Sequence, residues 1–200
     1  MSAAASFPAR NSEKRTVSPL HLASCATKIR AMKNAAFTLI VVALFALSVP
    51  ARAEPELINT FKDWDAFVSG EGANKTCYIA SVPKKSLPAK VRHGNVYMTV
   101  AHKPRRKIRD EVNVVAGYSF KADSQVRAIS GATAEDLFVS GNEAWAYDPK
   151  MDGRLVAAMK RGASMVVRGT SERGTKTSYE FSLFGFSAAY AAISKACKIG

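Results

Sequence analysis

Short runs of alternating apolar residues, each closed by Gly, Pro, Asn or Asp, fill most of the chain from Phe61 onward. Alternation at every second position lines one face of an extended strand, and frequent turns make successive strands antiparallel. In "FKDWDAFVSG" the alternating set is Trp64, Ala66 and Val68, ahead of Gly70. "KTCYIASVP" places Cys77, Ile79 and Ser81 on one face. "SLPAKVRHG" contains Pro88, ends at Gly94 and reads as a loop. "NVYMTVAHK" is a strand that Pro104 terminates. "RDEVNVVAGYSF" alternates Val112, Val114 and Ala116, with Gly117 at a bend or bulge. "SQVRAISG" and "DLFVSGNEAWAYD" continue the pattern, the second as a hairpin about "SGNE". "ASMVVRGTS" and "TKTSYEFSLFG" form a last pair joined by "SERGTK".

Two segments change period. Asp148-Pro149 is an N-cap followed by proline at the first helical position. Leu155, Val156 and Met159 then form an apolar stripe, Lys160 and Arg161 occupy the last turn, and Gly162 stops the helix. In "FSAAYAAISKAC" the residues Phe186, Ala189, Tyr190, Ile193 and Cys197 share one helical face. The expectation is a mainly β domain, an antiparallel β-sandwich or curved sheet with two short helices, the C-terminal one packed on the sheet.

The start of that domain is set by "MKNAAFTLIVVALFALSVPARAEPE". Lys33 is a short positive region, Ala35 to Val49 is an uncharged apolar run, and Ala51-Arg52-Ala53 supplies small residues at a cleavage site. These are the parts of a secretory signal peptide. The run is 15 residues, short of the ~20 a spanning helix needs. The organisation expected is a disordered upstream extension over 1–31, a signal peptide over 32–53 cleaved between Ala53 and Glu54, and one β domain over 54–200. Residues 1–31 share the composition of a mitochondrial-type presequence. A complete export signal follows them, so the reading adopted is a start assigned ahead of Met32.

Residues 54–200 carry 22 Lys and Arg against 15 Asp and Glu, a net charge of +7 rather than the +13 of the whole chain. A moderately basic protein in the periplasm or secreted to the medium is suited to contact anionic lipid or glycan rather than nucleic acid, and solubility alone also accounts for the charge. Cys77 and Cys197 are the cysteines left after cleavage. In an oxidising compartment the pair reads as a disulfide, the alternative being two buried thiols.

Chemistry-bearing constellations are sparse. His93 and His102 lie near strand ends beside basic residues and read as surface histidines, with no metal-ligand spacing around them. No G-x-S-x-G elbow or phosphate-cradling glycine loop occurs. Ser187 in "GFSAA" reads as the start of a helix. Asp110/Glu111 and Glu135/Asp136 are adjacent and so face opposite ways on a strand, whereas Asp63 and Asp65 flank Trp64 on its solvent side. Trp64, Tyr118 and Trp145 read as core. The expectation is a protein without catalytic residues, cofactor or metal. "HKPRRKIR" is the densest basic run, and Lys103, Arg105, Arg106, Lys107 and Arg109 are the candidate contacts for an anionic surface. The competing reading of that run is a solvated strand edge.

Several phrases in order resemble the invasion-associated locus B family, small exported proteins of α-proteobacteria: "FKDWDAF", "TCYIASVPK", "DEVNVVAGYSF", "RLVAAMKRGASMVVRGTSERGTKT" and "YEFSLFGFSAAYAAISKAC". Some members carry a further cysteine where this chain has Val68 and Ser69, so any second disulfide of theirs is absent here. The resemblance implies an envelope or secreted protein and, in pathogenic members, an association with entry into host cells. It supplies no catalytic residues. The partner expected is an envelope or host-surface component. The rival readings are a structural envelope component without a dedicated ligand and an unrecognised carboxylate-dependent hydrolase.

Overall fold

The computed structural model describes residues 54–199. The upstream extension, the signal peptide and Ala53 of the cleavage site lie outside the described residues, and Glu54 is the first within them.

Among the described residues, eleven antiparallel strands form one sheet. In chain order they are β1 (Glu56–Phe61), β2 (Trp64–Ser69), β3 (Thr76–Ser81), β4 (Lys85–Leu87), β5 (Tyr97–Lys103), β6 (Ile108–Val115), β7 (Val126–Ser130), β8 (Thr133–Ser140), β9 (Glu143–Trp145), β10 (Ser164–Thr170) and β11 (Lys176–Ser182). Their order across the sheet is β1-β2-β3-β5-β6-β9-β8-β7-β10-β11-β4. β8 joins the two halves: Thr133 to Leu137 pair with β7, and Phe138 to Ser140 pair with β9. The sheet curls so that both halves contribute to a single core, which includes Trp64, Ile79, Met98, Val114, Leu137, Met165 and Phe181. Far from the β8 junction the halves touch again. Trp64 Nε1–H donates to Ser182 O at 2.9 Å.

The expected alternation is met where it was clearest. In β3, Cys77, Ile79 and Ser81 are all buried. β1 and β4 correct the sequence reading. β1 ends at Phe61, Lys62 turns the chain with φ 57°, and β2 begins at Trp64, so "FKDWDAF" spans a turn rather than one strand. β1 lies at the sheet edge with its side chains largely exposed, so it carries no alternating signal. β4 lies inside the segment read as a loop, pairing Lys85 to Leu87 with β11 at the opposite edge.

Helix α1 (Pro149–Arg161) starts as its cap predicts, with Asp148 Oδ1 accepting from Met151 N–H at 2.8 Å. It buries Leu155, Val156 and Met159. Its stop has a different cause from a left-handed cap. Gly162 has φ −84°, and a Cβ there would lie 2.4 Å from Ser130 Oγ and 3.0 Å from Leu183 Cδ1. Close packing, not backbone hand, requires glycine. Helix α2 (Phe186–Ala196) packs on β2 and β3 through Phe186, Ala189, Tyr190 and Ile193. Gly185, not Ser187, is its N-cap, with φ 93°. A Cβ on Gly185 would fall 1.9 Å from Phe61 O, which seats the start of α2 directly on the β1–β2 turn.

Candidate functional site

The basic run lies where β5 gives way to β6. Pro104 stops the strand, Pro104–Arg106 makes one 3-10 turn, and Lys107 closes it with φ 55° and its N–H on Pro104 O at 2.9 Å. This short hairpin end displays five cations, of which two are paired with carboxylates and a third is held by a neutral amide. Lys103 pairs with Glu111 across the turn. Arg105 donates to Asn74 Oδ1 at 2.6 Å. Arg109 Nε lies 3.5 Å from Asp110 Oδ2. Arg106 and Lys107 are exposed, and neither has an ion-pair or hydrogen-bond partner among the described residues.

Beside the turn a groove of about 720 Å³ runs between β6, the end of β9 and the start of α1. Arg106, Lys107 and Arg109 line it together with Asp110, Glu111, Asp148 and Asp152. Phe138, Trp145 and Tyr147 also face it, with Phe138 and Tyr147 ring centroids 5.4 Å apart. Trp145 is therefore half-exposed beside the groove rather than in the core, whereas Trp64 is fully buried and Tyr118, partly exposed, packs against the core. The aromatic and acidic part of the groove was missed in the sequence because "AWAYDP" reads equally well as the end of a hairpin.

Both histidines depart from the surface reading. His93 is half-buried, with Nδ1 2.9 Å from Tyr179 Oη and Nε2 2.9 Å from Pro88 O. His102 is wholly buried, against the edge of the Tyr190 ring. Its Nδ1 accepts the Asp110 backbone N–H at 3.2 Å, and its Nε2 lies 3.2 Å from Ser194 Oγ. Burial lowers its pKa, with the Asp110 charge opposing, so the neutral ring carries its proton on Nε2 and donates it to Ser194. Ser194, His102 and Asp110 thus have the composition of a nucleophile, base and acid but the reverse proton order. The lone pair a base would offer to serine is absent, and Asp110 Oδ1 is 3.9 Å from Nδ1. Asp110 Oδ1 instead accepts from Tyr190 Oη at 2.6 Å. The arrangement fastens α2 to β5.

The same place holds the disulfide. Cys77 is the register partner of His102, and Cys77–Cys197 is bonded with Cα atoms 5.9 Å apart. The remaining acidic candidates lie apart. Asp63 pairs with Lys84 at 2.5 Å, which holds its carboxyl below the usual range. Asp65 accepts from Thr60 Oγ1 at 2.6 Å, and Glu135 is clasped by Arg154 through two bonds of 2.6 and 3.1 Å. Asp63, Asp65 and His93 share no partner. Among the described residues no group of three His, Cys, Asp or Glu is placed to hold a metal, and no helix is long and apolar enough to cross a membrane.

Asp152 is the acid most perturbed by its setting. It is nearly buried on α1 and accepts the Val112 N–H at 2.9 Å. Burial pushes its pKa up from 3.8 to about 6, and the charges of Glu111, Asp110 and Asp148 add to the rise. The folded state therefore holds this proton more tightly than the unfolded one. Asp152 favours folding below pH 3.8, and that contribution is lost as pH rises through about 6. Above that the ionised carboxylate costs about 2–3 kcal/mol. Asp152→Asn keeps an acceptor for Val112. It is expected to raise stability near neutral pH by up to about 2 kcal/mol and to flatten the fall between pH 4 and 6. Urea midpoints across that range check this, and unchanged slopes would count against it.

A family model described as Invasion associated locus B (IalB) protein matches residues 64–194. The matched span opens at Trp64, includes Cys77 and ends at Ser194, three residues before Cys197. No curated protein and no solved structure matches the chain.

Proposed function

The chain belongs to the invasion associated locus B family, and on that premise we propose that it is an exported, non-catalytic protein of the periplasm or medium. It works through its surface, offering the Pro104–Arg106 turn to an anionic lipid or glycan of the envelope or of a host cell. The observation that carries the reading is that Arg106 and Lys107 are exposed, with no ion-pair or hydrogen-bond partner among the described residues, at the tip of a hairpin whose base is held by the Lys103–Glu111 pair and by Arg105 on Asn74. A held turn loses little backbone freedom when it meets a polyanion, so the cost of binding is confined to the two free side chains. The disulfide supports the compartment, since such bonds persist where the medium is oxidising.

Each basic residue near an anionic membrane contributes about 1 kcal/mol. Reversal of Arg105, Arg106 and Lys107 to glutamate is therefore expected to weaken binding to phosphatidylserine vesicles or to heparin at least about 100-fold at low salt, and less at high salt. Unchanged binding would favour an envelope component without a dedicated ligand. Exported protein should begin at Glu54, and protein retained in the cytoplasm would undo the compartment.

A further inference from the structure

A second cavity, of about 680 Å³, shares no lining residue with the groove at the basic turn. It lies between the loop carrying Arg92 and His93, the segment after β6 carrying Tyr118 and Ser119, and the β10–β11 turn carrying Glu172 and Arg173. Arg92 and Arg173 have no ion-pair or hydrogen-bond partner among the described residues. Glu172 is the one carboxylate among the lining residues, and Ser119 and Thr175 bring hydroxyl-bearing side chains to the lining.

Behind it runs an unbroken chain of contacts. Pro88 O lies 2.9 Å from His93 Nε2, and His93 Nδ1 lies 2.9 Å from Tyr179 Oη. Tyr179 Oη is 3.0 Å from Tyr118 Oη, which is 2.6 Å from Thr177 Oγ1, which is 3.2 Å from Gly169 O. Both ends are carbonyl oxygens, which only accept. Five contacts link four side chains, so five protons are needed. Three hydroxyls and a neutral imidazole supply one fewer, and only the imidazolium completes the chain. Burial pushes the Tyr179 phenol well above its usual range, so it keeps its proton.

We propose that this cavity binds a small anionic sugar, and that binding is coupled to uptake of one proton by His93. Arg92 and Arg173 pair with the carboxylate or phosphate of the ligand. The hydroxyl lining and the half-exposed Tyr118 ring meet the sugar. The cavity volume falls in the range of small-molecule sites. The proton comes from solvent, completes the hydrogen-bond chain and adds a third positive charge to the site. The groups that face His93 are Arg92 on its own loop, Tyr118, Tyr179, Glu172 and Arg173 around this cavity, and Tyr97 across a neighbouring one. Arg92 and Arg173 oppose the added charge until the ligand anion neutralises them, which is why uptake accompanies binding.

Titration calorimetry of the folded, oxidised protein tests this with glucuronate and glucose 6-phosphate. Glucose and inorganic phosphate serve as the neutral and bare-anion controls. The sugar anions are expected to bind at least about tenfold tighter than either control, and about tenfold tighter near pH 5.5 than near pH 8. Paired buffers of different ionisation enthalpy should show uptake approaching one proton at about pH 7.5. Arg92→Ser with Arg173→Ser should lose binding. His93→Gln should keep weak binding without the pH slope. Should that variant fail to fold, nitrogen NMR of the wild-type imidazole gives the same answer: both ring nitrogens carry a proton once ligand is bound. Equal affinity for glucose would overturn the anion, and equal affinity for phosphate would overturn the sugar. Absence of proton uptake, or a pH slope that survives His93→Gln, would overturn the coupling. None of these outcomes depends on whether the basic turn binds a surface.

Discussion

Cys197→Ser is expected to lower the free energy of unfolding by up to about 4–5 kcal/mol, the chain-entropy value for so long a loop. The bond joins residues 120 apart and so removes a large set of open conformations from the unfolded chain. The folded state should change little, because Phe186, Ala189, Tyr190 and Ile193 remain buried and still hold α2 on the sheet. The denaturant midpoint should therefore move while its slope against denaturant stays nearly constant. The wild-type protein under reductant should coincide with the variant, and thiol titration of the unfolded, unreduced protein should find no free thiol. A shift below about 1 kcal/mol would mean that the unfolded chain is already compact.

Trp64→Ala should cost a comparable amount, about 3–5 kcal/mol. The indole is fully buried, meets the Phe186 ring edge-on at 5.0 Å and donates to Ser182 O across the two halves of the sheet. Trp64→Phe separates volume from hydrogen bonding. It keeps most of the ring contact but leaves Ser182 O without its donor, for about 1–2 kcal/mol. Thermal and chemical unfolding of both variants gives the comparison, and equal losses for the two would show that packing matters less than the bond.

Much of the sheet is legible in the sequence because each strand states its own pattern. β3 and α2 each place a cysteine on their apolar face, and the two faces meet. His102 shows where pattern and chemistry disagree. It follows Met98 and Val100 at every second position, so the alternation places it inside. A basic neighbourhood argues for the surface. The alternation wins because the Asp110 N–H and Ser194 satisfy both ring nitrogens, which removes the penalty for burying them. Trp145 errs in the other direction, since aromatic character alone does not tell a core from the rim of a cavity. The basic run could not be resolved along the chain at all. Arg105 meets Asn74, 31 residues earlier, and the pairing of Lys103 with Glu111 needs the hairpin to close. β1 was hidden for a simpler reason: an edge strand that buries almost nothing has no pattern to read.

The seating of α2 on β2 and β3 also sets the order of events during synthesis. Trp64 and Ile79 leave the ribosome more than a hundred residues ahead of the helix that covers them. Until that helix emerges, the early strands carry an uncovered apolar face, and no local rearrangement can hide it. Completion of the domain therefore waits on its most distant contacts, the kind that make β-rich folds slow.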